Sequence, residues 1–98
     1  MEYKIQFHPL ALQEFLSLDK GVQNLVKKQL EKLKVSPQLG EELGVKNNID
    51  LSGYRKMYAN RKHIRIVYSI LQEIVTINII AIGKREDMEV YKIAEERK

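Results

Sequence analysis

The sequence predicts a small α+β domain in which two early helices and one late helix pack on a mostly antiparallel sheet. Apolar residues alternate at the start of the chain, and two stretches before residue 36 repeat with a helical period. Three strand-like stretches then follow one another between residues 54 and 82. Because 98 residues give room for one hydrophobic core, we expect a single domain over residues 1–98.

The first element predicted is a strand over residues 1–7. Tyr3, Ile5 and Phe7 alternate there with polar residues, which is typical of a strand with one buried face. Pro9 then suits the first turn of a helix, where a backbone N–H would have no partner in any case. A short amphipathic helix is therefore expected after His8.

A second helix is predicted from Gly21 to Val35, because its apolar residues fall on one face and its lysines on the other. Ser36 precedes a proline and marks the end of this helix. Residues 37–52 contain Gly40, Gly44 and two asparagines but show no sustained period. We therefore expect a connecting loop there.

Three consecutive strands are predicted at Tyr54–Tyr58, Ile64–Leu71 and Ile74–Ile82. The polar joins between them are short, which favours an antiparallel meander. The third strand is apolar on both faces, so we expect it inside the sheet, ended by Gly83. A last helix over Met88–Arg97 with Asp87 as its N-cap completes the predicted order β-α-α-β-β-β-α.

The net charge of +4 is distributed unevenly. Residues 1–52 hold seven lysines against seven acids, whereas residues 53–98 hold ten basic residues against six acids, including all five arginines. The planar guanidinium group suits phosphate, so we expect a polyanion as the partner of the second half.

The composition also excludes several kinds of site. There is no cysteine, so the chain has no disulfide, no thiolate zinc site and no cysteine nucleophile, which fits a cytoplasmic protein. No apolar run approaches the roughly 18 residues of a membrane span. Two scattered histidines and no carboxylate cluster favour a protein without a bound metal or other cofactor.

Basic residues are concentrated between Gly53 and Leu71, and no acid interrupts them. These residues are Arg55, Lys56, Arg61, Lys62 and Arg65. Alternation along a strand puts Arg65 on the face opposite Ile64 and Ile66, so we expect Arg65 to be displayed rather than buried.

More candidates follow the third strand of the meander. Lys84 and Arg85 should leave the sheet there, and Tyr91 follows on the last helix. Since the ends of neighbouring strands lie close together in a meander, both basic groups could meet in one concavity.

The sequence of this region resembles a known family. Ile64–Tyr68 (IRIVY), residues 82–86 (IGKRE) and residues 89–91 (EVY) are similar to the C-terminal signature of RelE-type toxins of the RelE/ParE superfamily. The resemblance implies a RelE-like fold and the toxin of a toxin–antitoxin system. It further implies a ribosome-dependent, metal-independent mRNA endonuclease that acts in the decoding site and is neutralised by a cognate antitoxin.

The resemblance also assigns roles to residues. RNA supplies its own nucleophile, the 2′-hydroxyl, so the protein must accept a proton and stabilise charge on the phosphate. Arg65 and Arg85 match phosphate-binding arginines, and Tyr91 matches the aromatic residue that stacks on or orients the nucleotide. Lys84 and the turn Arg61-Lys62-His63 are expected to contact the RNA.

One position departs from the family pattern. Arg55 aligns with a lysine used for proton chemistry, yet arginine stays protonated and is a poor base. Lys56 is adjacent, but on a regular strand it points to the opposite face from Arg55, and the residue after it is Met57. Either a bulge re-aims Lys56 or His63 takes the proton role, and both alternatives stay open.

Two other functions compete with the nuclease interpretation. A ParE-like toxin, which shares the fold, inhibits DNA gyrase and has no nuclease site, but the presence of Arg85 and Tyr91 argues against it. A catalytically degenerate protein that only binds an antitoxin or nucleic acid is favoured by the loss of the usual lysine at position 55.

Overall fold

The computed structural model describes residues 2–46, 48–84 and 89–98, which contain three helices and seven strands. The helices are α1 (Pro9–Leu16), α2 (Lys20–Val35) and α3 (Glu89–Arg97). The strands are β1 (Lys4–Phe7), β2 (Glu41–Glu42), β3 (Val45–Lys46), β4 (Ile49–Asp50), β5 (Tyr54–Ala59), β6 (Ile64–Leu71) and β7 (Thr76–Lys84).

Five strands form one sheet in the order β1-β7-β6-β5-β2. The predicted meander of β5, β6 and β7 is confirmed, and β7 lies inside the sheet with a partner on each side. β1 pairs with β7 in parallel, which the long connection between them, including α1 and α2, allows.

The helices cover both faces of the sheet. The apolar sides of α1 and α2 pack on one face of the sheet. The buried cluster there includes Phe15, Leu33, Ile66, Tyr68 and Ile79. The last helix covers the other face, where Val67, Ile80 and Val90 are buried together. β7 is apolar on both faces because helices cover both.

The expected loop over residues 37–52 is more structured than the sequence indicated. It contains a 3₁₀ turn at Pro37–Leu39 and three two-residue strands. β2 pairs with β5, and β3 pairs with β4. Such short strands contribute no readable period, so the prediction of a connecting loop missed them.

Gly83 does not end the third strand of the meander, contrary to expectation. β7 continues to Lys84, which pairs with Ile64 and so stays in the sheet. A Cβ atom at Gly83 would lie 3.0 Å from the Cβ atom of Val90 on α3. The glycine therefore permits α3 to approach the sheet closely. The strand also begins later than predicted, because Gln72–Ile74 forms a 3₁₀ turn.

An ion pair anchors α3 to α1. The two terminal nitrogens of Arg97 each donate to a carboxylate oxygen of Glu14 at 2.9 Å, and Glu14 also accepts from the backbone N–H of Ile82 at 3.1 Å. This contact holds the end of α3 against β7. The proposed N-cap, Asp87, lies outside the described residues, and in the described ranges no helix is long and apolar enough to cross a membrane.

Candidate active site

The face of the sheet under α3 brings together four side chains that we call the arginine–tyrosine cluster: Lys56, Tyr58, Arg65 and Tyr91. Strand register explains three of them. Tyr58 of β5 lies directly opposite Arg65 of β6, and Lys56 is two residues before Tyr58 on the same face. Tyr91 belongs to α3, and Gly83 allows this helix to lie close to the sheet.

Arg65 is buried, with only 8% of its surface exposed, so the prediction that it is displayed was wrong. Alternation correctly placed it opposite Ile64 and Ile66, but α3 covers that face. Its guanidinium carbon lies 4.4 Å from the ring centre of Tyr91 and 5.8 Å from that of Tyr58. Among the described residues, its Nε and Nη1 atoms are buried and have no hydrogen-bond acceptor.

Lys56 and Tyr58 form a hydrogen-bonded pair. The Nζ atom of Lys56 donates to the phenol oxygen of Tyr58 at 3.0 Å, and this bond raises the pKa of Lys56. The same bond, assisted by the Arg65 guanidinium and opposed by burial, lowers the pKa of Tyr58 from 10.0 to about 8. Lys56 is therefore a cation, and the phenol is the group whose ionisation lies nearer neutral pH.

Tyr91 differs from Tyr58 in its surroundings. It is 2% exposed, and burial raises its pKa, although the nearby Arg65 and Lys56 act in the opposite direction. Tyr91 is consequently a neutral phenol at physiological pH, and its ring stacks on the guanidinium of Arg65.

The structure separates Arg55 from the arginine–tyrosine cluster. Its guanidinium donates to the backbone oxygens of Gln38 and Gly40 and pairs with Glu42, on the side of the sheet that carries Tyr68. β5 keeps a regular register with β6, so Lys56 reaches Arg65 by simple alternation, and no bulge is needed to re-aim it.

The predicted RNA-contacting residues line two open grooves beside the cluster. Arg61 and Lys62 line the first, together with Lys56 and Tyr58 of the cluster and with Lys28 and Lys32 of α2, and we call this space of about 600 Å³ the α2 groove. Arg61, His63 and Lys84 line a second space of about 780 Å³ near the end of β7. Arg85 lies outside the described residues.

Sequence reasoning did not find Tyr58. The alternation rule could have identified it, because Tyr58 is two residues from Lys56 on a regular strand and therefore shares its face. Residues 2–46, 48–84 and 89–98 contain no group of three histidines or acids that could hold a metal ion.

Comparison with known proteins relates this chain to bacterial toxins, although no protein-family profile matches it. The mRNA interferase toxin RelE of Escherichia coli K12 is 32% identical over 103 residues, which cover 99% of this chain and 98% of that protein. The structure of a double arginine mutant of E. coli toxin RelE in the free state matches with a TM-score of 0.79 and 30% identity, covering 99% and 98% of the two chains.

A second solved structure shows such a mutant of E. coli RelE bound to a peptide of the antitoxin RelB. It matches with a TM-score of 0.74 and 29% identity over 96% of this chain and 95% of that one. The agreement extends over almost the whole length in both sequence and fold. This chain therefore belongs to the RelE family of toxins.

Proposed function

We propose that this chain is the toxin of a type II toxin–antitoxin system and that it cleaves mRNA on the ribosome. The observation that carries the proposal is the arginine–tyrosine cluster, in which two buried cations and two phenols meet beside a groove lined with lysines. A relative named an mRNA interferase supports the reaction, and a related toxin bound to an antitoxin peptide supports a cognate antitoxin as partner. Because the proposed substrate is mRNA on the ribosome, we expect the toxin to act in the cytoplasm.

Arg65 is the residue that we assign to the scissile phosphate. Its Nε and Nη1 donors have no acceptor among the described residues, and a phosphate oxygen is an acceptor suited to such a guanidinium donor. In a site from which water is excluded, a fixed cation stabilises growing negative charge more strongly than it does in water. Tyr91 keeps the guanidinium oriented by stacking on it.

The remaining basic residues fit the path of the RNA backbone. Lys28, Lys32, Arg61 and Lys62 line the α2 groove, and contacts of this kind position a nucleic acid without reading its sequence. By the resemblance to RelE-type toxins, Arg85 is a second phosphate-binding residue next to Lys84. The proposed reaction needs neither a metal nor another cofactor, because the 2′-hydroxyl of RNA is the nucleophile.

The test is to induce the protein without an antitoxin and to assay purified protein on ribosomes programmed with mRNA. Wild-type protein should arrest growth and cut the mRNA, and Arg65→Ala should cut about 10²- to 10³-fold more slowly because it lacks the charge that stabilises the transition state. Lys92→Ala removes an exposed cation next to Tyr91 and serves as the control with the same change in charge.

One result would contradict the role of Arg65, and another would contradict the function. Cleavage by Arg65→Ala at the wild-type rate would remove the assignment of Arg65. Growth arrest with DNA damage and intact mRNA would instead support a toxin that inhibits DNA gyrase.

A further inference from the structure

We propose that Tyr58 is the catalytic residue that accepts the proton of the attacking 2′-hydroxyl. This inference rests on the proposed function and names a group for the step that Arg55 cannot perform. Tyr58 lies opposite Arg65 across two paired strands, so the proton acceptor and the phosphate-binding cation are immediate neighbours. In-line attack requires these two groups to act on adjacent atoms of the RNA.

Exposure distinguishes Tyr58 from the rest of the cluster. Arg65, Tyr91 and Lys56 are buried, whereas Tyr58 is only partly buried where it lines the α2 groove beside Lys56. A substrate lying in this groove meets the phenol of Tyr58 without any rearrangement of the strands. Lys56 and Arg65 are cations and hold no lone pair for a proton, so they cannot replace Tyr58 as the acceptor.

The charges around Tyr58 favour its phenolate form. Lys56 of β5 bonds to the phenol oxygen and Arg65 of β6 flanks the ring, while the neutral Tyr91 approaches from α3. Other charged residues line the same groove: Lys28 and Lys32 from α2, Arg61 and Lys62 from the turn, and Glu41 from β2.

Glu41 is the one acid in that set. Its carboxylate lies 3.9 Å from the Nζ atom of Lys56 and is 67% exposed, so water screens its effect. The pKa of about 8 for Tyr58 agrees with this balance and leaves about a tenth of the phenol ionised at pH 7.

The proposed step is balanced in protons. The 2′-hydroxyl gives its proton to the phenolate oxygen of Tyr58 as the 2′-oxygen bonds to phosphorus and the bond from phosphorus to the 5′-oxygen breaks. The 5′-oxygen then takes a proton from water, and the hydroxide left behind takes the proton from Tyr58. The products are a 2′,3′-cyclic phosphate and a 5′-hydroxyl, and the phenolate is restored.

Two other side chains could compete for the proton. Glu41 offers a carboxylate near Lys56, but it stands on the two-residue edge strand β2 rather than opposite Arg65. His63 is exposed in the turn after β5 and lines the second groove with Lys84. Glu41→Gln and His63→Gln therefore belong in the test beside Tyr58→Phe.

The first measurement is an ultraviolet titration of tyrosinate, which requires no substrate. The chain has five tyrosines and no tryptophan, and burial raises the pKa of Tyr54, Tyr68 and Tyr91. We expect a tyrosine with a pKa near 8 in the wild type, its loss in Tyr58→Phe, and a shift toward 10 in Lys56→Met. The same titration in Tyr58→Phe as in the wild type would overturn the proposal.

The second measurement is the rate of mRNA cleavage on programmed ribosomes as a function of pH. The wild-type rate should rise with pH and level off above about 8. Tyr58→Phe should be slower by about 10²- to 10⁴-fold and should lose this rise. Tyr54→Phe, on the same strand, is the matched control and should behave as the wild type, and thermal unfolding should show that both variants fold.

The outcomes separate the two proposals. If the wild type cleaves and Tyr58→Phe cleaves equally well with the same pH profile, Tyr58 is not the acceptor and the proposed function stands. If Glu41→Gln or His63→Gln loses cleavage while Tyr58→Phe keeps it, that residue replaces Tyr58. If the wild type does not cleave mRNA at all, the proposed function fails, and the role of Tyr58 fails with it.

Discussion

Helices cover both faces of the sheet, but the buried cations Lys56 and Arg65 lie under α3. Ile66 and Arg65 are neighbours on β6, with exposures of 0% and 8%, and they point to opposite faces. Under α1 and α2 the side chains form a continuous apolar core, whereas under α3 a guanidinium and an ammonium lie among aromatic rings. Burial on the first face stabilises the fold, and burial on the second face maintains charge out of water, where it acts strongly on a substrate.

This difference has a physical cost. Isoleucine loses no hydrogen bond when it leaves water, but the buried Nε and Nη1 donors of Arg65 have no acceptor among the described residues, which is unfavourable unless a ligand satisfies them. Stacking on Tyr91 offsets part of that cost. The contrast indicates that the part of the α3 face around Arg65 is arranged for binding, while Val67, Ile80 and Val90 on the same face contribute to the core. Three changes test it.

The largest effect should come from Glu14→Ala, which breaks the contact that joins the helices of the two faces. The change removes the carboxylate partner of the Arg97 guanidinium, which keeps its bond to the backbone oxygen of Ile80, and it removes the acceptor of the backbone N–H of Ile82. We expect a loss of roughly 3 to 5 kcal/mol in the free energy of unfolding, measured by urea denaturation.

Glu31→Ala is the matched control for Glu14→Ala, because Glu31 forms an exposed ion pair with Lys34 and should contribute less than about 1 kcal/mol. Equal losses from the two variants would show that α3 is not anchored through Glu14.

Ile66→Ala should have the next largest effect and tests the apolar face. Removing a fully buried side chain leaves a cavity, and we expect a loss of about 2 to 5 kcal/mol in the free energy of unfolding. Ile74→Ala, at a position that is 60% exposed, should change it by less than about 0.5 kcal/mol in the same denaturation experiment. A small loss for Ile66→Ala would mean that the core under α1 and α2 is not tightly packed.

The smallest change in stability should come from Arg65→Met, next to Ile66 on the opposite face. An apolar side chain of similar length removes two buried N–H donors that have no acceptor in the described part of the chain, so the free energy of unfolding should change by less than about 1 kcal/mol or should increase. Cleavage should nevertheless be lost. A destabilisation as large as that of Ile66→Ala would show that Arg65 holds the fold together and would remove the contrast between the two faces.

The sequence was sufficient for the elements that have a long period. The helices, the meander and the interior position of β7 were predicted because six or more residues repeat a helical or strand pattern in each element. Two-residue strands such as β2 carry no such pattern. Gly83 was misread because it makes room for Val90 of α3, and a periodic pattern does not show such a contact between two elements.

By itself, the sequence determined that Arg65 lies opposite Ile64 and Ile66 and that the chain resembles RelE-type toxins. Tertiary structure alone decided that α3 covers Arg65 and that the register of β5 with β6 brings Tyr58 and Lys56 to it, while leaving Arg55 on the far side. The physical reason is that periodicity reports which side chains share a face. Contacts between distant parts of the chain, such as that of Glu14 with Arg97, decide which face of the sheet is exposed to water. They also decide which residues of neighbouring elements come together on that face.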